Sequence, residues 1–497
     1  MGCSSQLKVS SLFFFFFFFS VVLPLLLSPA STRVRAKEEG FISILVSDKG
    51  LDFAKDLLVH RAVYSIIPLQ LPQIEKDLKI PVVGRVHVVL SNISIDGVEI
   101  DSSYVKTGEQ GVVLIVSGAT ANLSMNWRYS YSTWLVPVPM SDEGSASVQV
   151  KDMEVGLTLD LKDLGGFLKL SVPECGCYVE AISIKIDGGS SWLYQGVVGA
   201  FQGKIVSAVE EAIPQKITEE MLKLDALLQD LPNKIPVGDV ASLNVTFVSD
   251  PVLSNSSIDF KVNGLFTAED QIFASNYPHR QQTTSVTCSG ANEMIKISLH
   301  ENVLQSASLV YFYADYMHWL VDKIPDQALL NTAGWKYIVP QLYKQYPNDD
   351  MHLNISVSAP PLVKVTKQGI GATIYADVII DVLDANEVIP VACISLVIDA
   401  SGSAHILWNN LAGSIRVEYL SATLKWSNIG NLHMLLVQTV LSTVIKTVVV
   451  PYVNLHLMRG FPLPLPHGFA LENARIRYAD SGILICSNVS YKTSVLI

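Results

Sequence analysis

Apolar and polar residues alternate strictly along several stretches of this chain. Met153, Val155, Leu157, Leu159 and Leu161 are interleaved with Glu154, Gly156, Thr158, Asp160 and Lys162. Ile182, Ile184 and Ile186 alternate with Ser183, Lys185 and Asp187, and Leu243, Val245 and Phe247 repeat the pattern. A period of two buries one face of a strand and wets the other, as in antiparallel sheets. Elsewhere the period lengthens to four. Leu193, Val197, Phe201, Ile205, Val209 and Ile213 share one helical face, with Gln202, Lys204, Glu210 and Glu211 on the other side. A second long helix is predicted over Leu432–Leu457, apolar over a wider arc. Shorter helices are predicted to start near Lys49 (Phe53, Leu57, Leu58, Tyr64) and near Asn302 (Leu304, Leu309, Phe312, Met317, Leu320).

The order of these elements repeats. A strand entering an amphipathic helix, a β-rich stretch and a second long helix occur twice, opening at Glu39–Lys55 and again at Met294–Ala314. Leu231–Ser254, with Pro232, Pro236 and Pro251, reads as a connector that still joins a sheet. The expected class is α+β, with one unit over 38–235, a connector and central-sheet strand over 236–260, and a second unit over 261–497. A duplicated strand-and-helix unit carrying almost no catalytic chemistry points to a container.

Composition adds a compartment. The chain is 49% hydrophobic and only 16% charged, and part of that surplus lies at its start. Lys8, the apolar run Leu12–Leu27 and the small residues Ser28–Ser31 have the order of a secretory signal, so residues 1–30 are expected to be a signal peptide and the protein secreted. The start Met1-Gly2-Cys3-Ser4 resembles a myristoylation signal, but Gln6 stands where Ser or Thr is wanted. Six sequons, at Asn92, Asn122, Asn244, Asn255, Asn354 and Asn488, agree with an extracellular glycoprotein. Asn354 sits between Leu353 and Ile355 on the outward positions of a predicted strand, where a glycan has room.

Loss of the signal leaves Cys175, Cys177, Cys288, Cys393 and Cys486, an odd number with at least one thiol unpaired internally. A disulfide involving Cys175 or Cys177 is expected. Cys175-Gly176-Cys177 lacks the second ligand pair a zinc site needs, and no metal is assigned. With 35 Lys+Arg against 46 Asp+Glu, a net charge of −11 and no basic run, nucleic acid is excluded as a partner. Met434–Asn454 is long enough to cross a membrane, but Gln438, Thr439, Ser442, Thr443 and Lys446 interrupt it and Pro451 bends its end. A helix lying along a sheet or in a barrel mouth fits better.

Reaction machinery is sparse. There is no Gly-x-Ser-x-Gly elbow, Walker loop, dinucleotide fingerprint or His-Glu-x-x-His, and His300-Glu301 begins a zincin pattern that fails at Leu304. A triad assembled in space would leave no local trace, but no catalytic residue or cofactor is assigned. Tyr311, Phe312, Tyr313, Tyr316 and Trp319 have the spacing of a core or pocket wall. Trp127-Arg128-Tyr129, with Tyr131 and Trp134, is expected between strands at a hairpin tip, either as a covered loop or as a contact with a lipid interface.

Four segments carry a resemblance: Glu39–Ala54 (EGFISILVSDKGLDFA), Val357–Val365 (VSAPPLVKV), Ser427–Gly430 (SNIG) and Val450–Pro466 (VPYVNLHLMRGFPLPLP). Together they resemble the bactericidal/permeability-increasing and lipopolysaccharide-binding proteins, over nearly the whole mature chain and most closely the plant-type members. The resemblance implies an elongated boomerang of two similar antiparallel-barrel-plus-long-helix domains joined by a central sheet, each holding a phospholipid in an apolar tunnel. It implies a non-enzymatic protein of innate defence whose partners are phospholipid, lipopolysaccharide and the membrane surface. The alternative is a lipid-transfer or protein-interaction module without lipopolysaccharide specificity. On this model Phe53, Leu57, Trp192, Val197 and Phe201 line the first tunnel, and Phe312, Leu320, Leu436 and Val440 the second, although each is equally placed to be ordinary core. Arg85, Trp127 and Arg128 are the headgroup candidates. Two departures stand out. Tip positions that are lysine in lipopolysaccharide-binding members are Asn126, Ser130 and Tyr131 here, which weakens attraction to phosphate. The family's tie from the first sheet to its long helix keeps Cys175 or Cys177 but meets Thr218 at the other end, so that tie is expected to be absent or rerouted.

Overall fold

The computed structural model describes residues 39–492 other than 82–83, 110, 133–137, 188–190, 269–287, 289–292 and 386, without the side chains of 187 and 191–197. The expected signal segment and Trp134 lie outside the described residues. The chain enters through strand β1 (Ile42–Ser47) and turns at once into helix α1 (Asp48–Ile66). Antiparallel strands β2 (Ile74–Ile80), β3 (Gly84–Glu99), β4 (Gly111–Tyr131), β5 (Met140–Leu164) and β6 (Phe167–Asp187) follow, forming a sheet with two shorter strands. Helix α2 (Ser191–Gln229) lies along this sheet. Periodicity predicted α2 only as far as Ile213. The helix runs on through Pro214 because Ile217, Met221, Leu224 and Leu228 continue the same apolar stripe. That burial outweighs the one backbone bond proline removes.

The second half repeats the plan. After β7 (Ser257–Val262), β8 (Ile295–His300) enters α3 (Glu301–Tyr313). Strands β9 (His318–Val321), β10 (Asp350–Thr366), β11 (Gly369–Asp384), β12 (Glu387–Leu407) and β13 (Asn410–Ser427) form the second antiparallel sheet in sequential order. Its long helix has three parts: α4 (Met434–Val444), a π turn at Ile445–Val449, and α5 (Val450–Leu457). The widened turn sits just before Pro451, whose ring would clash with the carbonyl four residues back in a regular helix. Strands β14 (Phe469–Ala479) and β15 (Gly482–Tyr491) end the described chain. One part has no counterpart among the described residues of the first half. Leu330, Trp335, Val339 and Leu342, on short helical turns between β9 and β10, are fully buried against the second sheet.

The halves meet in a central sheet ordered Val252–Ser254, β7, β1, β8, β15, β14. β1 lies between two strands from much later in the chain, with Ile42 opposite both Val262 and Leu299. The two strand-to-helix junctions are built alike. Ser47 accepts from Gly50 N at 3.4 Å, and His300 Nδ1 accepts from Asn302 N at 3.2 Å; each side chain caps its helix. Ser47 Oγ also donates to the Glu293 carbonyl at 2.7 Å, tying one repeat to the other. Gly50 permits this approach, since a Cβ there would stand 2.4 Å from the Met294 carbonyl oxygen. The expected α+β fold of paired sheet-plus-helix units around a central sheet is the one observed.

The disulfide differs from expectation. It joins Cys288 to Cys486 on β15, and Cys175, Cys177 and Cys393 are free thiols. Cys175 sits beside Thr218 of α2, so the position facing the thiol offers a hydroxyl where a disulfide would need sulfur. Burial raises the Cys175 pKa, and Cys177 is pushed up to about 12 by burial, then by Glu210 and Cys175.

Candidate functional site

Strand alternation in the first sheet aims one set of side chains at α2. Val88 and Leu90 come from β3, Met125, Trp127 and Tyr129 from β4, Ala146 from β5, and Ile184 and Ile186 from β6. Opposite them α2 presents Val198, Phe201 and Ile205, one turn apart. Between helix and sheet lies a slot with a cavity volume of about 30 Å³, and none of its described lining side chains is charged. Registers explain its shape. Trp127 pairs with Leu90 on one side and Gly144 on the other, so the indole meets no side chain from β5 at its own level. Trp127 Nε1 donates to the Ser145 carbonyl at 2.9 Å, which satisfies the ring's polar atom and leaves its faces apolar. Tyr129 stacks on Trp127 with centroids 5.8 Å apart, and Tyr131 continues the row on the same strand.

Polar groups fasten α2 along its edges. Lys76 Nζ donates to the Ala200 carbonyl and Lys204 Nζ to the Glu75 carbonyl, both at 2.9 Å, strapping the helix to β2. On the other side Val179 N donates to Glu210 at 3.0 Å. Near the helix end, Asp225 accepts from Lys169, from Leu170 N at 2.8 Å and from Gln229 at 2.7 Å. Burial disfavours the charged form of Asp225, but these bonds outweigh it and hold the pKa below the usual carboxylate range.

The candidates read from the sequence fall in different places. Phe201 is buried in the slot. Phe53 and Leu57 are half-buried on α1 and outside the slot lining. Trp192 and Val197 lie on the first turns of α2, where side chains are outside the described residues. The expected headgroup trio is split. Trp127 is not in a hairpin tip but within β4, facing inward, whereas Arg128 faces the opposite side of the same sheet. Arg128 Nε donates to Glu143 at 2.9 Å. Arg85 is exposed and opposite Lys79. On that outer face Lys79, Arg85 and Arg128 stand among Glu75, Asp77 and Glu143, so the charges balance.

In the second half Val440 is buried in the core with Val437, Leu441 and Val444, while Leu436 is exposed. Phe312 is half-buried on α3, edge-on to Tyr313. Leu320 does not belong to that helix. The helix stops at Tyr313, Asp315 turns the chain with a φ of 58°, and Leu320 falls on β9. There Val321 takes the core position and Leu320, 57% exposed and opposite Asn354, faces away from it. Among the sequons, Asn92, Asn122 and Asn255 are exposed, whereas Asn244, Asn354 and Asn488 are half-buried and hydrogen-bonded to Thr246, His318 and Lys49. Met125, Val88 and Leu90, missed as lining residues, carried the same alternation as Ile184 and Ile186, but nothing local distinguishes a slot wall from filled core.

Comparison with known proteins covers the same two halves. The N-terminal domain model of the LBP / BPI / CETP family matches residues 50–231 and its C-terminal domain model residues 237–491. A BPI/LBP family protein of Arabidopsis thaliana is 56% identical over 458 residues, 92% of this chain and 93% of its own. The lipopolysaccharide-binding protein of Homo sapiens is 24% identical over 492 residues, 95% of this chain and 98% of its own. A crystal structure of lipopolysaccharide binding protein superposes with a TM-score of 0.66 at 20% identity, covering 91% of this chain and 99% of that one.

Proposed function

Since the chain belongs to the LBP/BPI/CETP family, a lipid-binding family, through both of its domains, we propose that it is a secreted carrier holding the acyl chains of a phospholipid between α2 and the first sheet. The observation that carries this reading is the slot itself, whose described lining side chains are all apolar or aromatic. Two chains of roughly 14 methylenes each gain on the order of 20 kcal/mol on leaving water, at about 0.8 kcal/mol per methylene. A bilayer offers nearly the same gain, so exchange between membrane and protein is close to neutral and small headgroup terms set its direction. A cavity of about 30 Å³ has room for roughly two water molecules and not for an acyl chain, so a chain enters as α2 lifts from the sheet.

Lipopolysaccharide is the second reading, favoured by the full-length likeness to proteins named for binding it; a role in defence at the cell exterior follows from it. The balanced outer face around Arg85 and Arg128 favours a phospholipid over this more densely phosphorylated ligand. Native mass spectrometry of the secreted protein, followed by organic extraction, tests both. Phospholipid is expected in the extract, with less of it from the Ala146→Phe variant, which fills the slot. A lipid-free wild-type protein that takes up neither phospholipid nor added lipopolysaccharide would rule the carrier out.

A further inference from the structure

The long helix of the second half buries one side and leaves the other bare. Val437, Val440, Leu441, Val444, Ile445 and Val449 pack on the second sheet. The other side presents Leu435, 79% exposed, then Tyr452, and Leu455, 65% exposed. The helix from Met434 to Leu457 is apolar and long enough to cross a membrane, yet only 33% of its most apolar window is buried.

Between those leucines the exposed side carries Thr439, Thr443 and Thr447, spaced four apart. None presents a hydroxyl donor outward. Their Oγ atoms donate to the carbonyls of Leu435, Thr439 and Thr443 at 3.0, 2.9 and 2.8 Å. A threonine bonded back onto its own helix shows its methyl to the surroundings and loses little on entering an apolar medium.

Charge is distributed as unusually as polarity. The chain has 46 acidic residues and 35 basic ones, but from Tyr419 to Leu471 there is no Asp or Glu. That run contains Lys425, Lys446 and Arg459. Lys425 is paired with Asp377 on the sheet, whereas Lys446 and Arg459 are exposed along and just beyond the helix. Glu418 is the acidic group that faces Lys446 from the neighbouring strand. An apolar helical face that carries no anion of its own, with Lys446 along it and Arg459 just beyond it, complements a surface of acyl chains beneath negative headgroups.

We propose that the exposed face of α4–α5 docks flat on a lipid bilayer containing anionic lipid, which holds the carrier against the membrane with which it exchanges cargo. This docking surface is on the opposite half of the molecule from the slot and stands whether or not the slot takes lipid.

Flotation of the full-length protein with vesicles of phosphatidylcholine alone, and with added phosphatidylglycerol, tests it, with extraction of bound lipid as a separate readout. Binding to the phosphatidylglycerol vesicles is expected, weakening as salt rises. Leu435→Asp with Leu455→Asp should lower it at least tenfold, and Lys446→Glu, at an exposed position where folding is not at stake, by about fivefold or more. Extracted lipid should not change in either variant. Equal binding to both vesicle types, or Lys446→Glu floating like the wild type, would overturn the proposal. Loss of extractable lipid in the double variant, with flotation intact, would instead make this face the wall of a second lipid cavity.

Discussion

Trp127 and Arg128 are neighbours in sequence on opposite faces of one strand: the indole is 5% exposed inside the slot, and the guanidinium side chain is 68% exposed against Glu143. The pair separates the apolar slot from surface charge at the smallest possible distance along the chain. Trp127→Ala is expected to cost roughly 3–5 kcal/mol of stability, through lost burial and the cavity left behind. Arg128→Ala, which breaks an exposed ion pair, is expected to cost less than about 1 kcal/mol. Denaturant unfolding of both variants measures the contrast, and similar costs would mean that Trp127 is not the packed residue described.

Glu143 holds Arg128 and completes the charge balance of the outer face. Glu143→Ala therefore releases one cation. Near an anionic surface a cation is worth about 1 kcal/mol, so affinity for lipopolysaccharide should rise about fivefold at low salt and return toward the wild-type value as salt is raised. Titration calorimetry at two ionic strengths reads this directly. An unchanged affinity would show that this face does not meet the ligand.

The two lysine straps must break if α2 is to lift from the sheet on this edge. Lys76→Met with Lys204→Met removes both bonds to carbonyls while keeping most of the aliphatic stems, at roughly 1 kcal/mol per bond. Fluorescent phospholipid should then exchange several times faster, with the amount bound at equilibrium nearly unchanged. Exchange at the wild-type rate would mean that lipid reaches the slot without moving this edge of the helix.

Asp225 makes stability depend on acid. Its folded pKa is lower than its unfolded one, so its contribution is present above the unfolded carboxylate range and is lost as pH falls through the folded value. Asp225→Asn is expected to destabilise by roughly 1–3 kcal/mol at pH 7, and the gap from wild type should close in acid below about pH 4. Melting curves across that range provide the check. A constant gap would place the effect in packing rather than charge.

Strand alternation and helical periodicity made much of this architecture legible. Met153–Leu161 and Ile182–Ile186 fall on β5 and β6 with the odd and even positions segregated as predicted. The stripe from Phe201 to Ile213 is the buried face of α2. What local pattern could not convey was the orientation of short aromatic runs. Trp127-Arg128-Tyr129 looked like a tip because aromatics and a cation crowd together, yet register with β3 and β5 makes them alternating positions of a long strand. Leu320 was assigned to a helix on spacing alone, since the turn at Asp315 has no proline or glycine to announce it. The disulfide and the slot depend on contacts between residues far apart in sequence, and neither leaves a periodic trace.

The position of β1 governs how the molecule can be made. Among the described strands this one is translated earliest, but its two partners, β7 and β8, are translated only after the whole first sheet and α2, and β15 must still arrive to complete the sheet beyond β8. Until then β1 has two unpaired edges, the arrangement most prone to pairing with a stranger. Synthesis that stalls near the midpoint therefore yields a first half with its own sheet formed and one sticky ribbon hanging from it. A first half made without the second would expose both edges of Ile42–Ser47.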